Sequence, residues 1–292
     1  MISYEFLTTQ KIEEALNYLD KFSKVHILAG GTDLLVNFYK ESPRLPDFDY
    51  LLDISNIPEL KILTLVDKFI KIGPLVTHSR LINEPFAKNN FPVLAEAAYT
   101  IGSTQIRNRG TIGGNIVNAS PAADLFPPLI ALRAEVELTS RKGKRVLPLE
   151  EFLTGPYKTK LQANELLTKI KISLLGDNYY TDFQKIGRRK ALSIARLSLA
   201  LVTKIDEEGI FQDTRVVPGS ATPYPQSLPM TEEAIDGKSI FNIDVEEIGK
   251  ITSKEMVSIT GERWSTPYKK PTIAVLIKRA LKKIIEEAKT ND

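Results

Sequence analysis

The 292-residue chain is 42% hydrophobic and 26% charged, an ordinary balance for a globular protein long enough to form two or three domains. Its net charge of only +3, from 39 basic and 36 acidic side chains, argues against a dedicated nucleic-acid binder. There is no cysteine, which excludes disulfides, thiol nucleophiles, cysteine-ligated zinc and any iron–sulfur cluster held by this chain.

Only two histidines are present, His26 and His78, so a histidine-rich metal site is excluded and a Ser-His-Asp hydrolase would have to rest on one of them. Chemistry is therefore expected from a bound organic cofactor. The start, Met1 to Phe6, lacks the basic and apolar segments of a secretory signal, and no apolar run approaches the roughly 20 residues that span a bilayer. A cytoplasmic protein without a membrane span is expected. The sequon Asn118-Ala119-Ser120 is read as chance.

In chain order, residues 10–22 carry Ile12, Ala15, Leu16 and Leu19 on one face of an amphipathic helix. Val25 to Ala29 reads as a buried strand, and from Thr32 a helix runs through Leu34, Leu35 and Phe38 until Pro43 and Pro46 break it. Tyr50 to Ile54 is another short strand, and a second region begins at Phe69 to Gly73. Thr77 or Ser79 caps a short helix, and a helix through Leu94, Ala95 and Ala98 ends near Gly102. Phe126 to Leu132 reads as helix, Ala134 to Thr139 alternates as a half-buried strand, and Leu166 to Ile172 is a further strand. The final third begins near Gly176. It has strand-like runs at 195–205 and 215–218, a proline-rich connection at 218–229, and helices from about 231 and 244. Its last helix, Thr272 to Lys289, aligns Ile273, Leu276, Ile277, Ala280, Leu281, Ile284 and Ile285 as a core stripe.

Two glycine pairs stand out: Ala29-Gly30-Gly31-Thr32-Asp33 and Thr111-Ile112-Gly113-Gly114-Asn115. Each reads either as a tight turn or as a backbone cradle whose N–H groups close on an anion. Two such loops, each trailed by Thr, Asn or Asp, point to a diphosphate gripped from two sides. Beside a phosphate the Asp33 carboxylate would repel, so it is expected to cap the helix or to accept from a ribose or backbone amides. The second loop is the sharper signal: Gly110, Gly113 and Gly114 lie within five residues, followed by Asn118, Ser120, Ala123 and Asp124, which are poor core material.

Other features have blander readings. Arg107 and Arg109 are either phosphate grips or solvated arginines, and Lys185 to Lys190 is a solvated face or a protein contact. Gly237-Lys238-Ser239 imitates the end of a Walker A motif, but Glu232 stands where its earlier glycine is required, so it is a turn. His78 is read as a surface histidine in preference to a base beside a cofactor.

The run Ile27 to Leu35, the segment Thr111 to Asn115 and its extension Ala119 to Leu125 resemble the FAD-binding medium subunit of the molybdenum hydroxylases, the xanthine, carbon monoxide, nicotinate and aldehyde dehydrogenases. So do Phe152 to Thr159, Lys185 to Arg189 and Tyr268 to Lys270, and the likeness covers almost the whole chain. The resemblance implies an α+β fold: a vanillyl-alcohol-oxidase (PCMH)-type FAD-binding domain at residues 1–176, with subdomains of about 1–55 and 56–176, and a smaller C-terminal α+β domain at 177–292. It implies that Ile27, Leu28, Ala29, Gly30, Gly31, Thr32, Asp33 and Leu34 wrap the diphosphate, opposed by Gly110, Thr111, Gly113, Gly114 and Asn115. Ile101, Gly102 and Ile106 would lie near the flavin or its linker, and Ala123, Asp124 and Lys185 would complete the site.

The resemblance further implies an electron-transfer subunit with noncovalent FAD, no catalytic side chain and no metal of its own. The molybdenum cofactor would sit in a molybdopterin-binding large subunit and two [2Fe–2S] clusters in an iron–sulfur small subunit, with NAD or another acceptor taking the electrons. Two competing readings are a self-sufficient FAD oxidoreductase on the same scaffold, with a Ser or His78 as proton donor, and a cofactor-free assembly module.

Overall fold

A computed structural model describes residues 4–40, 42–45, 47–189 and 192–291. Met1 to Ser3, Pro46 and Lys190, which carried parts of the readings above, lie outside the described residues. The first lobe consists of β1 (Glu5–Thr8), α1 (Ile12–Lys21), β2 (Val25–Leu28), α2 (Leu34–Tyr39) and β3 (Tyr50–Asp53). Its three strands form a parallel sheet in the order β1-β3-β2, with Leu52 paired to both Leu7 and Ile27. The amphipathic stripe of α1 seats Ala15, Leu16 and Leu19 against Leu52 and Ile54. β2 was expected to be buried, but every one of its residues is half-buried, because it is an edge strand and pairs on one side only.

The second lobe carries β4 (Leu63–Val66), β5 (Phe69–Ile72), α3 (His78–Asn83), α4 (Pro85–Asn90), α5 (Pro92–Tyr99), α6 (Thr104–Arg109), α7 (Ile112–Asn118) and α8 (Phe126–Ala131). It continues with β6 (Glu135–Ser140), β7 (Gly143–Pro148), α9 (Leu149–Phe152), β8 (Leu153–Gly155), β9 (Lys158–Thr159) and β10 (Leu166–Ser173). Five of these strands form an antiparallel sheet in the order β4-β5-β10-β6-β7, and β8 and β9 form a separate hairpin. Pro85 and Pro92 start α4 and α5, where a missing N–H costs nothing. Thr77, not Ser79, caps α3 by accepting from Arg80 N at 3.2 Å.

The third unit is a sheet of β11 (Tyr179–Gly187), β12 (Ala195–Ile205) and β13 (Phe211–Gly219), covered by α10 (Pro229–Ile235), α11 (Val245–Thr260) and α12 (Thr266–Asn291). β12 is buried on both faces. Ala200 and Val202 join the core of the second lobe, while Leu197, Leu199, Leu201 and Ile205 pack with α11 and α12, which is why its sequence reads as an apolar run. α12 begins six residues before the expected Thr272 and runs over Pro271. The ring sits near the helix start, and Thr272 Oγ1 donates to the Tyr268 carbonyl at 2.5 Å in that turn. The C-terminal stripe is core as expected, with Ile273, Leu276, Ile277, Ala280, Leu281 and Ile284 buried. Gly237 lies in a turn with φ +76°. The α+β class expected from the resemblance is the fold observed: two lobes and a smaller C-terminal unit. Among the described residues no helix is long and apolar enough to cross a membrane.

One buried carboxylate holds two helices of the third unit together. α10 has no side-chain cap of its own, and Glu255 of α11 supplies one. Its Oε1 accepts from Met230 N at 2.8 Å, and its Oε2 accepts from Thr231 N at 2.9 Å and from Thr231 Oγ1 at 2.7 Å. Three donors facing two carboxylate oxygens leave no place for an amide NH2. Glu255→Gln is therefore expected to lower the unfolding free energy by about 1–3 kcal/mol, read from the urea midpoint.

Candidate functional site

β2 ends at Leu28, and the chain turns through residues 29–33 into α2. Gly31 has φ +73°, a left-handed conformation that side chains disfavour. The turn leaves the N–H groups of Gly31, Thr32, Asp33 and Leu34 without a protein acceptor among the described residues. Four successive free amides at the start of a helix form a concave, electropositive surface.

Of the three roles expected for Asp33, two are not seen: among the described residues it neither caps α2 nor accepts from backbone amides, which leaves the ribose. A capping residue needs extended backbone to swing its oxygen over the first turn, whereas Asp33 is already helical at φ −99° and ψ −46°. Its Oδ2 instead accepts from Asn37 Nδ2 at 2.7 Å, and Asn37 Oδ1 accepts from Arg44 Nη2 at 3.0 Å.

The second glycine pair is not a loop but the first turn of α7, capped by Thr111, whose Oγ1 accepts from Gly114 N at 3.1 Å. Ile112 N donates to Val76 O, Gly113 N to Pro74 O and Asn115 N to Thr111 O, at 2.9, 2.9 and 3.0 Å. These four amides are committed within the protein, so among the described residues the second glycine pair, unlike the first, leaves no backbone N–H free. The second pair needs glycine for packing. A Cβ on Gly113 would collide with the Pro74 ring and lie 2.7 Å from the Pro74 carbonyl oxygen. This lobe offers side chains instead: Asn115 Oδ1 is buried with no partner.

The two glycine segments meet. A Cβ on Gly30 would run into the carbonyl oxygen of Arg109 and lie 3.2 Å from Gly110 Cα, so the first turn rests on the α6–α7 junction, backbone against backbone. Gly110 in turn is buried against the ring of His78. Gly102, at φ +41°, folds residues 101–106 so that a Cβ there would sit 3.0 Å from Ile106 Cβ. Arg107 ties this turn down: its Nη1 donates to the carbonyls of Ile101 and Gly102, both at 3.0 Å, and its guanidinium stacks over Tyr99. It is half-buried and engaged within its own lobe. Arg109 is exposed.

Asp124 lies after α7, next to the buried Ala123. Its Oδ2 accepts from Lys185 Nζ of β11 at 2.7 Å, and both side chains are about nine-tenths buried. Lys185 also donates to the Thr100 carbonyl at 3.0 Å and lies 3.3 Å from Thr100 Oγ1. Asp124 Oδ1 is buried without a partner. Burial pushes this carboxyl up to about 6, against the pull of the Lys185 ammonium. Lys185 thus points inward, away from the surface reading of its basic cluster, while Arg189 holds the Leu192 carbonyl.

His78, expected on the surface, is 3% exposed. Its Nδ1 is buried with no partner, and burial, helped by the positive charge of Arg107, lowers its pKa to about 4. Sequence reasoning missed Thr100, Pro74, Asn37 and Arg44. Pro74 and Thr100 act through a ring wall and a carbonyl, which leave no residue-type signal. Asn37 and Arg44 stand four and eleven residues beyond Asp33, and the former spacing is one helical turn.

A family model described as the FAD binding domain in molybdopterin dehydrogenase matches residues 2–174, more than half of the chain. The chain belongs to this family. A second model, the CO dehydrogenase flavoprotein C-terminal domain, matches residues 182–284 of the flavin subunit. The glyceraldehyde dehydrogenase medium chain of Sulfolobus acidocaldarius is 31% identical, covering 96% of this subunit and 98% of its own length. The nicotinate dehydrogenase FAD-subunit of Eubacterium barkeri is 30% identical and covers 98% of each. In structure, a chain of carbon monoxide dehydrogenase from Hydrogenophaga pseudoflava superposes with a TM-score of 0.87 at 28% identity over 96% of both chains. The protein is an FAD-binding oxidoreductase subunit.

The buried imidazole of the flavin subunit gives a pH signature. Folded His78 takes up a proton only near pH 4, whereas the unfolded side chain does so near 6.5, so its contribution is complete above 6.5 and is lost as pH falls toward 4. Between pH 6.5 and 4.5 the wild type should lose about 2 kcal/mol more stability than His78→Leu, measured by urea unfolding of both at each pH.

Proposed function

We propose that the subunit holds FAD noncovalently across the contact between Gly30 and the Arg109 carbonyl, and carries electrons from partner iron–sulfur clusters to an external acceptor. That contact is the observation that carries the reading, because it sets the free amides of residues 31–34 beside the start of α7. The donor set supports a dinucleotide. Free N–H groups suit a diphosphate, and the orphaned oxygens of Asn115 and Asp124 suit hydroxyl or N–H donors of the same molecule.

In this reading Ile27 to Leu34 wrap the diphosphate, while Thr111, Gly113, Gly114 and Asn115 oppose them and Gly110 allows the approach. Ile101, Gly102 and Ile106 flank the flavin or its linker, and Lys185 holds Asp124 toward the polar part. Bound FAD supplies the redox chemistry; the residues of this chain bind, orient and enclose it. His78 is neutral and walled behind Gly110, which disfavours it as the proton donor of a self-sufficient oxidoreductase and leaves that reading only a Ser.

The proposed assembly adds an iron–sulfur small subunit and a molybdopterin-binding large subunit, with NAD or another molecule as acceptor, in the cytoplasm. The proposed division is residues 1–176 for FAD binding, with subdomains of about 1–55 and 56–176, and 177–292 for the C-terminal domain.

The purified protein should be yellow or become so with FAD, and acid should release all the colour into the supernatant. Gly30→Ala should keep its circular dichroism and bind FAD at least about tenfold more weakly by fluorescence titration. A colourless wild type that cannot be reconstituted would overturn the reading. Mass spectrometry with metal analysis of the native complex tests the partners.

A further inference from the structure

The two helices that begin at the glycine segments are joined again beyond their far ends. α2 leads into the segment carrying Arg44, and α7 is followed by Ala119, whose carbonyl accepts from Tyr157 N of the β8–β9 hairpin at 2.8 Å. The Arg44 guanidinium lies over the Tyr157 ring, 4.9 Å from its centroid. Ala119 and Tyr157 both have left-handed backbone, φ 47° and 57°, a conformation non-glycine residues keep only where their surroundings impose it. The same guanidinium donates to Asn37 Oδ1, and Asn37 donates to Asp33 in the turn that carries the free amides.

We infer that Arg44 and Tyr157 form a latch between the lobes that closes around the dinucleotide and controls its escape. The inference rests on the flavin reading above. It assigns positioning roles to Arg44 and Tyr157, neither of which belongs to the proposed binding set. The latch has two parts. The cation–π contact draws the first lobe onto the hairpin, and the Arg44–Asn37–Asp33 relay transmits that position to the glycine turn. A planar cation over a ring is the component that matters, so the tyrosine hydroxyl is dispensable and a lysine at position 44, lacking the fork that reaches Asn37, is not equivalent.

The test is the rate of FAD release from the full chain, followed by the flavin fluorescence gained on dilution into excess apo-flavodoxin. Tyr157→Ala and Arg44→Ala should each speed release about two- to five-fold, which is what an exposed cation–π contact supplies. Tyr157→Phe should release at the wild-type rate, and Arg44→Lys should not restore it. Because the chain has no cysteine, Arg44→Cys with Tyr157→Cys can be bridged by a short bismaleimide with no competing native thiol. Bridging should slow release well below the wild-type rate. The apo-protein melting midpoints of the substituted, unbridged variants should fall by no more than about 4 °C, which separates the latch from a general loss of folding; the bridge itself should raise the midpoint. Release that is indifferent both to the alanine variants and to the bridge overturns the latch alone. A wild type that takes up no FAD overturns the flavin reading and the latch together.

Discussion

The site depends on one close approach: the backbone of Gly30 lying on the carbonyl of Arg109 with no side chain between them. Glycine alone permits it, since any Cβ would occupy the space of that oxygen. The lobes are also joined behind the site. Leu60, Leu75 and Leu166, which come after the last strand of the first lobe in sequence, sit in the same core as Ala15, Leu16 and Leu19 of α1. A shared apolar core fixes one end of the cleft and a backbone contact fixes the other, so the separation of the two glycine segments is set by packing rather than by loop flexibility.

The third unit is bound into this arrangement. Lys185 reaches from β11 into the second lobe and meets Asp124 and the Thr100 carbonyl. Arg215 of β13 donates to the Ala131 carbonyl at 3.0 Å, and Lys283 of α12 bridges toward Asp182 and Glu96. A buried carboxylate alone would sit protonated, and the ammonium at 2.7 Å is what offsets that tendency at neutral pH. The ion pair therefore does two things at once. It keeps Asp124 available as an acceptor and ties the C-terminal unit to the site, so a change at Lys185 would be felt in both.

Elements with strong periodicity or continuous apolar runs were legible in the sequence: α1, β3, β6, β10, β12 and the stripe of α12. Those missed share a physical cause. β1, β4 and β7 are edge strands with mixed exposure, and α4 and α6 are six-residue helices whose start signals outweigh their periodicity. β11 mixes Tyr, Thr, Asp and Lys because its side chains serve the neighbouring units rather than one apolar layer. At the site, the glycine pairs were visible, but not why each is glycine. Only Gly31 uses positive φ; Gly30 and Gly113 are there because carbonyls and a proline ring lie where a Cβ would be. Such steric causes belong to the partner segment and leave no trace in the local sequence.

The asymmetry of the cleft follows from the same packing. α7 rests on the 74–77 segment and commits the amides of Ile112 to Asn115 to that segment and to its own cap, so the second glycine pair offers no free N–H, while Asn115 and Asp124 present unpartnered oxygens. The glycine turn of the first lobe does the reverse: the amides of residues 31–34 are free, and the carboxylate of Asp33 is held by Asn37, which Arg44 holds in turn. One wall is thus a donor surface and the other an acceptor surface. A ligand with an anionic centre and several hydroxyl or N–H groups satisfies both only in one orientation across the cleft. In the proposed reading this polarity selects the pose of FAD, and selection by pose is what an electron carrier requires: a fixed distance to its partners, with no acid or base of its own.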